Sequence, residues 1–474
     1  MAVSTPTPVH APTGEAAVHP PGKAAIHLLG EAAINPPDEA AINRAIVACG
    51  IGQIFEIYDF VIYGLMAGAL ARAFFPSTDP IAGLLGTFAT FAVGFVIRPI
   101  GAVVIGAYGD RHGRRAALVV TIGLMAMATG LIGLIPSYAT LGVFAPIILV
   151  LCRMAQGFST GGEWGGAAAF LVEYAPPNRR GAISSYQQAA TSLGLIAATL
   201  FAFILSAAID NTAFLAWGWR LPFLIGFILG PVGYYLRTKV EETPAFERTR
   251  QHHDVSRSPL RQSLTLYPAT MLAAFGLSII GCVVNYVFVI YVPSFAQSQL
   301  HIPAASTFLS TLIAGVICLL LTPLIGRLSD RIGRRPLFFA ASAASSLLAY
   351  PLFHVMVTMH SLSGLLLAQS VAGVILSLYA GPICAVLAEQ FPTNIRYTAL
   401  SISYGFAVAI FGGFAPLIAT ALVRLTGDPV APAYYLVAAG ILSFVATIFV
   451  RERAGLPLPD DIAALEPSLQ EKPA

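Results

Sequence analysis

Charged side chains are scarce in this chain of 474 residues. Asp, Glu, Lys and Arg make up only 10% of it, whereas hydrophobic residues make up 57%. A soluble domain carries about 25% charged residues, so this number of charges cannot cover a water-facing surface. The scarcity excludes a soluble, a disordered or a nucleic-acid-binding protein. The formal net charge of +3 indicates no polyanionic partner either.

Several chemical signatures are also missing. The five cysteines all fall inside apolar runs and form no CxxC pair or His/Cys cluster, so no metal site is predicted. The polar loops hold no P-loop and no serine–histidine constellation, so we expect neither an enzyme nor an ATP-driven pump, and no cofactor. The N-terminal segment has no apolar core before a small-residue cleavage site, so no signal peptide is predicted.

Long apolar runs are what the chain has instead. A membrane helix needs about 20 mostly apolar residues, and twelve such runs are present, none with the alternation of a membrane β-barrel. We therefore predict an all-α membrane protein with twelve spans. The spans, numbered 1 to 12 in chain order, are 46–71, 81–108, 116–135, 143–172, 183–209, 219–236, 267–292, 304–325, 336–357, 362–387, 398–423 and 432–450.

The basic residues orient these spans. With both termini inside, 21 of the 26 Lys and Arg residues fall on the cytoplasmic side, and only Arg72, Arg220 and Arg424 fall outside. Cytoplasmic loops carry such an excess, so we expect an inner-membrane protein with both termini cytoplasmic. The tail 1–45 holds four copies of an eight-residue repeat (GEAAVHPP to DEAAINRA). Proline pairs interrupt any continuous helix there, and we interpret it as a solvated tail.

Internal repeats divide the membrane region into two halves. The loop GAYGDRHGRR (106–115) returns as GRLSDRIGRR (326–335), and YDFVIY (58–63) returns as YVFVIY (286–291). LVEYAPPNRRGA at the end of span 4 likewise matches LAEQFPTNIRYT at the end of span 10. Three matches at nearly one offset indicate a parallel duplication of six spans. The predicted parts are the halves 46–236 and 265–450, the cytoplasmic linker 237–264 and the tail 451–474.

Four motifs resemble a known family. GxxxDRxGRR after spans 2 and 8 resembles the signature loop of the major facilitator superfamily. FEIYDFVIYG (55–64), RPIGAVVIGAYGDRHGRR (98–115), RMAQGFSTGGEWGG (153–166) and WGWRLPF (217–223) resemble its metabolite–proton symporter branch. That branch imports citrate, oxoglutarate, shikimate, dicarboxylates, and proline or betaine, and RPIGAVV in particular resembles the citrate symporters. Gln53 and Ile57 depart from the family pattern, which usually has Asn and Trp or Gln there.

Five ionisable residues stand inside the spans, all of them in the first half. An ionisable group in the bilayer costs about 2.5–3.5 kcal/mol even on mild scales, so its default interpretation is functional. We therefore expect charge recognition and proton chemistry in the first half, with hydrogen bonding supplied by the second. The five residues are Glu56, Asp59, Arg98, Arg153 and Glu163.

Asp59 and Arg153 both fall near the midplane, roughly 20 Å and 15 Å along their helices, and could form an ion pair. The resemblance supports this, since related sugar–proton symporters keep an Asp in span 1 and an Arg in span 4 as a coupling pair. We expect Asp59 to accept the proton, with Glu56 as the rival, and Arg153 to bind a substrate carboxylate. The alternative is a pair that only locks the bundle.

Arg98 and Glu163 both fall in the inner half of the membrane, where they could pair. Arg98 could instead pack or snorkel to the interface. Two intramembrane arginines would suit a di- or tricarboxylate better than a sugar or a drug, so we expect an organic anion as substrate.

Weaker candidates complete the predicted site. Polar side chains in spans that the resemblance places around a central cavity could bind substrate or equally bond to a neighbouring backbone; they are Tyr58, Tyr63, Gln156, Gln187, Gln188, Asn285, Tyr286, Gln369, Tyr379 and Tyr404. The resemblance also implies a cytoplasmic gate, in which the motif-loop residues pair with the acidic ends of spans 4 and 10. Its expected members are Asp110, Arg111, Arg115, Glu173, Asp330, Arg331, Arg335 and Glu389.

The predicted function is proton-coupled import of a small organic acid by alternating access, in which the halves rock about a midplane site. The expected partners are the organic acid, protons and the lipid bilayer, and the expected state is a monomer. A zwitterion importer of proline or betaine remains an alternative. Span 5 has no proline and a single glycine, which counts against a proton-driven exporter, and the short tails count against a transporter-like sensor.

Overall fold

The computed structural model describes residues 39–76, 80–238, 242–243, 246–247, 250 and 258–459. Most of the predicted tail 1–45, most of the linker 237–264 and the end of the tail 451–474 lie outside these residues. Within them every regular element is a helix, which confirms the expected all-α fold.

Helices occupy all twelve predicted spans. Ten helices in the described ranges are long and apolar enough to cross a membrane, and they correspond to spans 1 to 4 and 7 to 12. In the first half the helices are Glu39–Leu65 with Ala67–Phe74 (span 1), Pro80–His112 (span 2), Arg114–Leu134 (span 3), Phe144–Tyr174 (span 4), Arg180–Ala208 (span 5) and, after the 3-10 turn Gly218–Arg220, Leu221–Thr238 (span 6).

The second half repeats this order with two irregular helices. Its helices are Pro268–Asn285, the π-helix Tyr286–Tyr291 and Val292–Ser298 (span 7), Ala304–Ile332 (span 8), Arg335–Met359 (span 9), Leu362–Glu389 (span 10), Thr393–Ala407, the π-helix Val408–Gly412 and Ala415–Thr426 (span 11) and Pro432–Phe449 (span 12). Short helices at Tyr138–Leu141, Asn211–Ala216 and Pro259–Leu266 lie in the connections.

The first span begins earlier than expected. Its helix starts at Glu39, seven residues before the predicted boundary at 46, so residues 39–45 of the last repeat copy are helical. The copy DEAAINRA has no proline, and it places an acidic residue in the first turn. Negative charge is favourable at a helix N-terminus because of the helix dipole, which explains the earlier start.

Glycines bring spans 2 and 4 close together. A methyl group on Gly157 would collide with the backbone of Gly94, and one on Gly161 would collide with the carbonyl of Arg98. Small residues allow membrane helices to approach to backbone contact. This packing holds the helices that carry Arg98 and Arg153 side by side.

The two halves meet at the end of the bundle that carries loops 106–115 and 326–335, which we call the motif face. Span 2 packs on span 11, and span 5 packs on spans 8 and 10. The contact is close because Gly106 abuts the backbone of Thr398 and Gly326 abuts that of Gly181. The motif face is therefore closed in this structure.

The repeated segment YDFVIY/YVFVIY does not fold the same way twice. Residues 58–63 lie in a continuous α-helix, whereas Tyr286–Tyr291 form a π-helix. The second π-helix, in span 11, meets the first, because Gly412 packs against the ring of Tyr286. Both π-helices contact the first half, since Tyr286 lies edge to face with Phe95 of span 2 and the π-helix of span 11 packs on span 2. Such turns are frequent at functional sites.

Candidate functional site

Asp59 and Arg153 form a fully buried ion pair in the first half, as the sequence predicted. Arg153 Nη1 lies 3.4 Å from Asp59 Oδ2, and neither side chain is exposed. Gln156 links the two, since its amide donates to Asp59 Oδ1 at 2.7 Å and its oxygen accepts from Arg153 at 2.8 Å. Thr129 from span 3 donates to the same aspartate oxygen at 2.8 Å. The aspartate is thus the centre of a network across spans 1, 3 and 4.

Aromatic rings surround the guanidinium of Arg153. Its carbon lies 4.3 Å from the ring centroid of Tyr63 and 5.1 Å from those of Phe60 and Phe91. Such contacts attract a cation through the ring quadrupole. Within the part of the chain that the structure describes, Nε and Nη2 of Arg153 have no hydrogen-bond partner. Arg153 therefore keeps donors available for a further acceptor.

Arg98 pairs with Glu56 and not with Glu163, which corrects the expected pairing. Arg98 Nη2 lies 3.0 Å from Glu56 Oε1, and both side chains are buried. Span 4 meets the backbone of Arg98 at Gly161. Glu163 lies two residues after Gly161, which is a rotation of about 200° around the helix axis. Its side chain therefore does not face span 2. Glu163 is itself buried.

The Glu56–Arg98 pair lies where the two halves meet. Tyr286 and Tyr404 of the second half are close enough to Arg98 to interact with its charge. On the other side, Gln53 donates to Glu56 at 3.4 Å and accepts from Gln187 of span 5 at 3.4 Å. This pair therefore faces both halves, whereas Asp59–Arg153 is enclosed within the first.

Several weaker candidates bond to the protein itself. In each case the polar group donates to a backbone carbonyl of another span, so the structure gives them a packing role. The bonds are Tyr58 to Pro222 (3.1 Å), Tyr63 to Thr87 (3.1 Å), Gln187 to Trp164 (3.0 Å), Gln369 to Phe288 (2.9 Å) and Tyr379 to Ser278 (3.4 Å). Gln188 accepts from the indole of Trp164 at 2.9 Å, and Asn285 ends the α-helical part of span 7.

A first latch joins the halves at the motif face. Asp110 accepts from the backbone N–H groups of Tyr397 (3.2 Å) and Thr398 (2.8 Å), at the start of span 11. Glu173 binds Arg114 of its own half at 3.3 Å and Arg396 of the other half at 2.7 Å. Backbone and ionic bonds both cross between the halves here.

A second latch repeats the arrangement. Asp330 accepts from the backbone N–H groups of Gly181 and Ala182, each at 2.8 Å, at the start of span 5. Glu389 binds Arg334 at 3.0 Å. Arg180, the counterpart of Arg396, donates to the carbonyl of Leu456 at 2.6 Å and acts on Glu389 electrostatically.

The latch arginines differ from those expected. Arg114 and Arg334 contact the acidic ends of spans 4 and 10, whereas Arg111 and Arg331 are exposed. Arg115 and Arg335 donate instead to the carbonyls of Thr238 (2.5 Å) and Ile448 (3.2 Å).

The loop glycines explain this correction. Gly113 and Gly333 have φ of 103° and 95°, a region that glycine enters without strain. The turn aims the next residue back at the aspartate one helical turn earlier, so Asp110 pairs with Arg114 at 3.2 Å and Asp330 with Arg334 at 2.8 Å.

Two carboxylates that the sequence analysis missed cap the helices after the motif loops. Glu242 accepts from the backbone N–H groups of Arg114 and Arg115, each at 3.1 Å, and Glu452 accepts from those of Arg334 (2.8 Å) and Arg335 (2.9 Å). The signal for them was an acidic residue shortly after the last span of each half.

Burial raises the pKa of the Glu242 carboxyl above its ordinary value. The hydrogen bond from the backbone of Thr243 and the charge of Arg114 act against that rise, and Glu173 adds to it. Glu242 therefore binds a proton more readily than an exposed glutamate.

Comparison with known proteins agrees with this architecture. Residues 45–271 match the family described as Sugar (and other) transporter, and residues 309–471 match the Major Facilitator Superfamily. The structure of the proton:xylose symporter XylE bound to 6-bromo-6-deoxy-D-glucose superposes with a TM-score of 0.76 at 20% identity, over 91% of this chain and 100% of that one. The chain is thus a multi-pass membrane transporter of the major facilitator superfamily, and not an enzyme.

Relatives that match most of this chain indicate its branch within the superfamily. The proline/betaine transporter of Escherichia coli (strain K12) is 36% identical over 88% of this chain and 84% of its own length. The citrate-proton symporter of Klebsiella pneumoniae is 36% identical over 87% and 93%. The chain belongs to the metabolite–proton symporter branch that contains these proteins. It is 36% identical to both of these relatives, and these identities do not decide between a citrate and a proline/betaine transporter.

Proposed function

We propose that this protein is a proton-coupled symporter that imports a small carboxylate-bearing solute across the inner membrane by alternating access. The motif face and both termini lie on the cytoplasmic side in this proposal, because most basic residues fall there. Both candidate ion pairs lie within one chain, so a monomer suffices. The relatives named as proline/betaine transporters and as a citrate-proton symporter support solute import.

The observation that carries the proposal is the geometry around Asp59. The carboxylate has one charged partner, Arg153, whose Nε and Nη2 donors are unused among the described residues. A pair that served only to lock the bundle would be expected to satisfy its buried donors. The unused donors favour a second acceptor for Arg153 at some stage of transport.

Coupling then follows from charge compensation. A proton on Asp59 leaves the buried Arg153 without its counter-charge, which is strongly unfavourable. A substrate carboxylate bound to the unused guanidinium donors restores neutrality, and two parallel N–H bonds can form to it. Proton and substrate therefore stabilise each other's binding, while the proton alone is disfavoured. Glu56 is the rival proton site, because it is equally buried beside Arg98.

The charges favour a zwitterion over an organic anion as substrate. Glu56 already neutralises Arg98, so Arg98 presents no uncompensated charge to a di- or tricarboxylate. A solute with one carboxylate can place it on Arg153, and its ammonium group then suits Glu56 beside Tyr286 and Tyr404, since aromatic rings attract ammonium groups. Proline and betaine have this chemistry.

An organic anion such as citrate is the second candidate. The citrate-proton symporter relative supports it, and protonation of Glu56 in addition to Asp59 would release two arginines for two carboxylates. A proton-driven exporter has less support, because span 5 is one uninterrupted helix from Arg180 to Ala208.

The deciding experiment is uptake into proteoliposomes under an inward proton gradient. Betaine, proline, citrate, tricarballylate, oxoglutarate and shikimate are compared at equal concentration, each with and without an uncoupler. We expect betaine or proline to accumulate and the uncoupler to abolish accumulation. Accumulation of citrate or tricarballylate alone would select the second candidate. Uptake that ignores the gradient would contradict proton coupling.

A further inference from the structure

An aromatic stack joins the two halves between the ion pairs and the latches. Trp164 of span 4 and Tyr404 of span 11 lie face to face, with ring centroids 3.5 Å apart and planes 9° from parallel. The indole N–H of Trp164 donates to Gln188 of span 5 at 2.9 Å, which fixes the orientation of the ring. Trp164 is 3% exposed.

The depth of the stack follows from the helical rise. Trp164 precedes the latch residue Glu173 by nine residues, or about 14 Å, and Tyr404 follows the latch residue Thr398 by six, or about 9 Å. On its other side the stack adjoins the interface ion pair, since Tyr404 interacts electrostatically with Arg98 and Glu56. The rings therefore lie about 9–14 Å inside the motif face, between it and the ion pairs.

Glycines next to Trp164 bring its helix against span 11. A methyl group on Gly165 would collide with Ser401, and one on Gly166 would collide with the ring of Tyr397. Small residues permit this approach, and it leaves no room for water between the two rings. The stack and the glycine contacts thus form a dry layer at one depth.

We infer that Trp164 and Tyr404 form an inner gate, which closes the path from the midplane site to the motif face. The inference rests on the proposed alternating access. If the halves rock apart at the motif face, rings carried by opposite halves must separate, and loss of the stack shifts the equilibrium towards that open state. Trp164 acts on transport as a positioning residue, through Tyr404, and not by contact with a proton.

Cys384 provides a native reporter of this gate. Its thiol is fully buried on span 10, five residues before the latch residue Glu389, and donates across the halves to Gln187 of span 5 at 3.6 Å. Opening of the motif face would expose it. Peptide mass spectrometry of the full-length protein, after timed N-ethylmaleimide treatment, gives the alkylation rate at Cys384 separately from the other four cysteines.

The variants Trp164→Leu and Tyr404→Leu remove one ring each. We expect each to raise the Cys384 alkylation rate about tenfold, because losing an aromatic pair shifts the equilibrium between the closed and open states by about that factor. The double variant should react no faster than either single variant, because either substitution alone already removes the stack. Trp164→Phe, which keeps a ring but loses the indole N–H, should stay within about threefold of wild type. Gln188→Leu is the matched control for that hydrogen bond.

An unchanged rate in both leucine variants would overturn the gate, as would additive rates in the double variant. A second measurement needs only the wild type and the conservative Trp164→Phe variant, in case the leucine variants do not fold. Trp164 emission, obtained as wild type minus Trp164→Phe, is compared with Cys384 alkylation from pH 5 to 8. We expect the two to change together, and alkylation that rises without a change in emission would contradict the proposal. Neither readout requires a substrate, so failure of symport leaves this test intact.

Discussion

At the motif face the two halves are built alike, whereas at the midplane they differ. Asp110, Arg114 and Glu173 of the first latch recur as Asp330, Arg334 and Glu389, with the same bonds to the start of a helix in the other half. The midplane charges have no such copies. At the repeat offsets, Asp59, Arg98 and Arg153 correspond to Val287, Cys318 and Gln369.

The neutral counterparts also bond differently. Gln369 donates to the backbone of Phe288 within its own half, whereas Arg153 binds a side chain that can take up a proton. Duplication therefore kept the parts that close the motif face, and charge remained on one side only. A second set of buried charges would add desolvation cost without a proton to couple.

The largest effect is expected from removing the proton acceptor at the midplane. Asp59→Asn keeps the size of the side chain and can still accept from Thr129, but it cannot be ionised. We expect gradient-driven accumulation to fall at least about 100-fold, because the neutral amide cannot carry the proton that drives uptake. Gln369→Leu, at the counterpart of Arg153, should retain at least half of wild-type accumulation. Undiminished accumulation in Asp59→Asn would refute the assignment and point to Glu56.

The next effect distinguishes the two latches. Glu173→Gln removes the carboxylate that Arg396 binds across the halves at 2.7 Å, and losing one partner of a buried pair costs about 3–5 kcal/mol. Glu389→Gln leaves Arg334 still bound to Asp330 at 2.8 Å. We expect Cys384 alkylation to rise more than tenfold in Glu173→Gln and about threefold in Glu389→Gln. Equal rates would show that the latches are equivalent.

A smaller effect concerns substrate charge. Glu56→Gln leaves Arg98 uncompensated beside Tyr286, so the site gains one positive charge. We expect inhibition of transport by citrate to strengthen about tenfold relative to inhibition by betaine, since a charge-assisted bond contributes about 1.5–3 kcal/mol. Glu163→Gln, also buried but directed away from span 2, is the control and should leave the ratio unchanged. The measurement is competition against the solute that the uptake experiment identifies.

Depth and hydropathy were enough to predict the twelve spans and the Asp59–Arg153 contact, because both depend on position along the membrane normal. Depth and hydropathy do not predict the direction in which a side chain leaves its helix. Arg98 and Glu163 share a depth, yet they point in different directions, and Gly161 marks the face that decides this.

Local backbone geometry explains the other differences. The conformation of Gly113 selected Arg114 over Arg111 as the latch arginine. Trp164 escaped notice because a single tryptophan in the glycine run GGEWGG gives no periodic signal. The stack depends on Tyr404, which is 240 residues away in the chain.

The smallest effect is expected at Glu242 and Glu452, the carboxylates that cap the helices after the motif loops. Burial raises the pKa of Glu242 above that of an unfolded glutamate, so the folded state holds this proton more tightly. As pH rises through the raised pKa, Glu242 loses its proton, and the free energy of unfolding of the wild type falls. Glu242→Gln cannot titrate. Its free energy of unfolding, relative to that of wild type, should therefore rise by under about 1 kcal/mol between pH 4.5 and pH 8.

The measurement is thermal unfolding in detergent at both pH values, with Glu452→Gln alongside as the counterpart cap. The size of the effect is limited because Glu242 is only partly buried and retains its backbone donors. A wild type that gains stability over Glu242→Gln as pH rises would have the wrong sign. It would mean that the three backbone N–H bonds and Arg114 outweigh burial, and that the cap strengthens the first latch when it is charged.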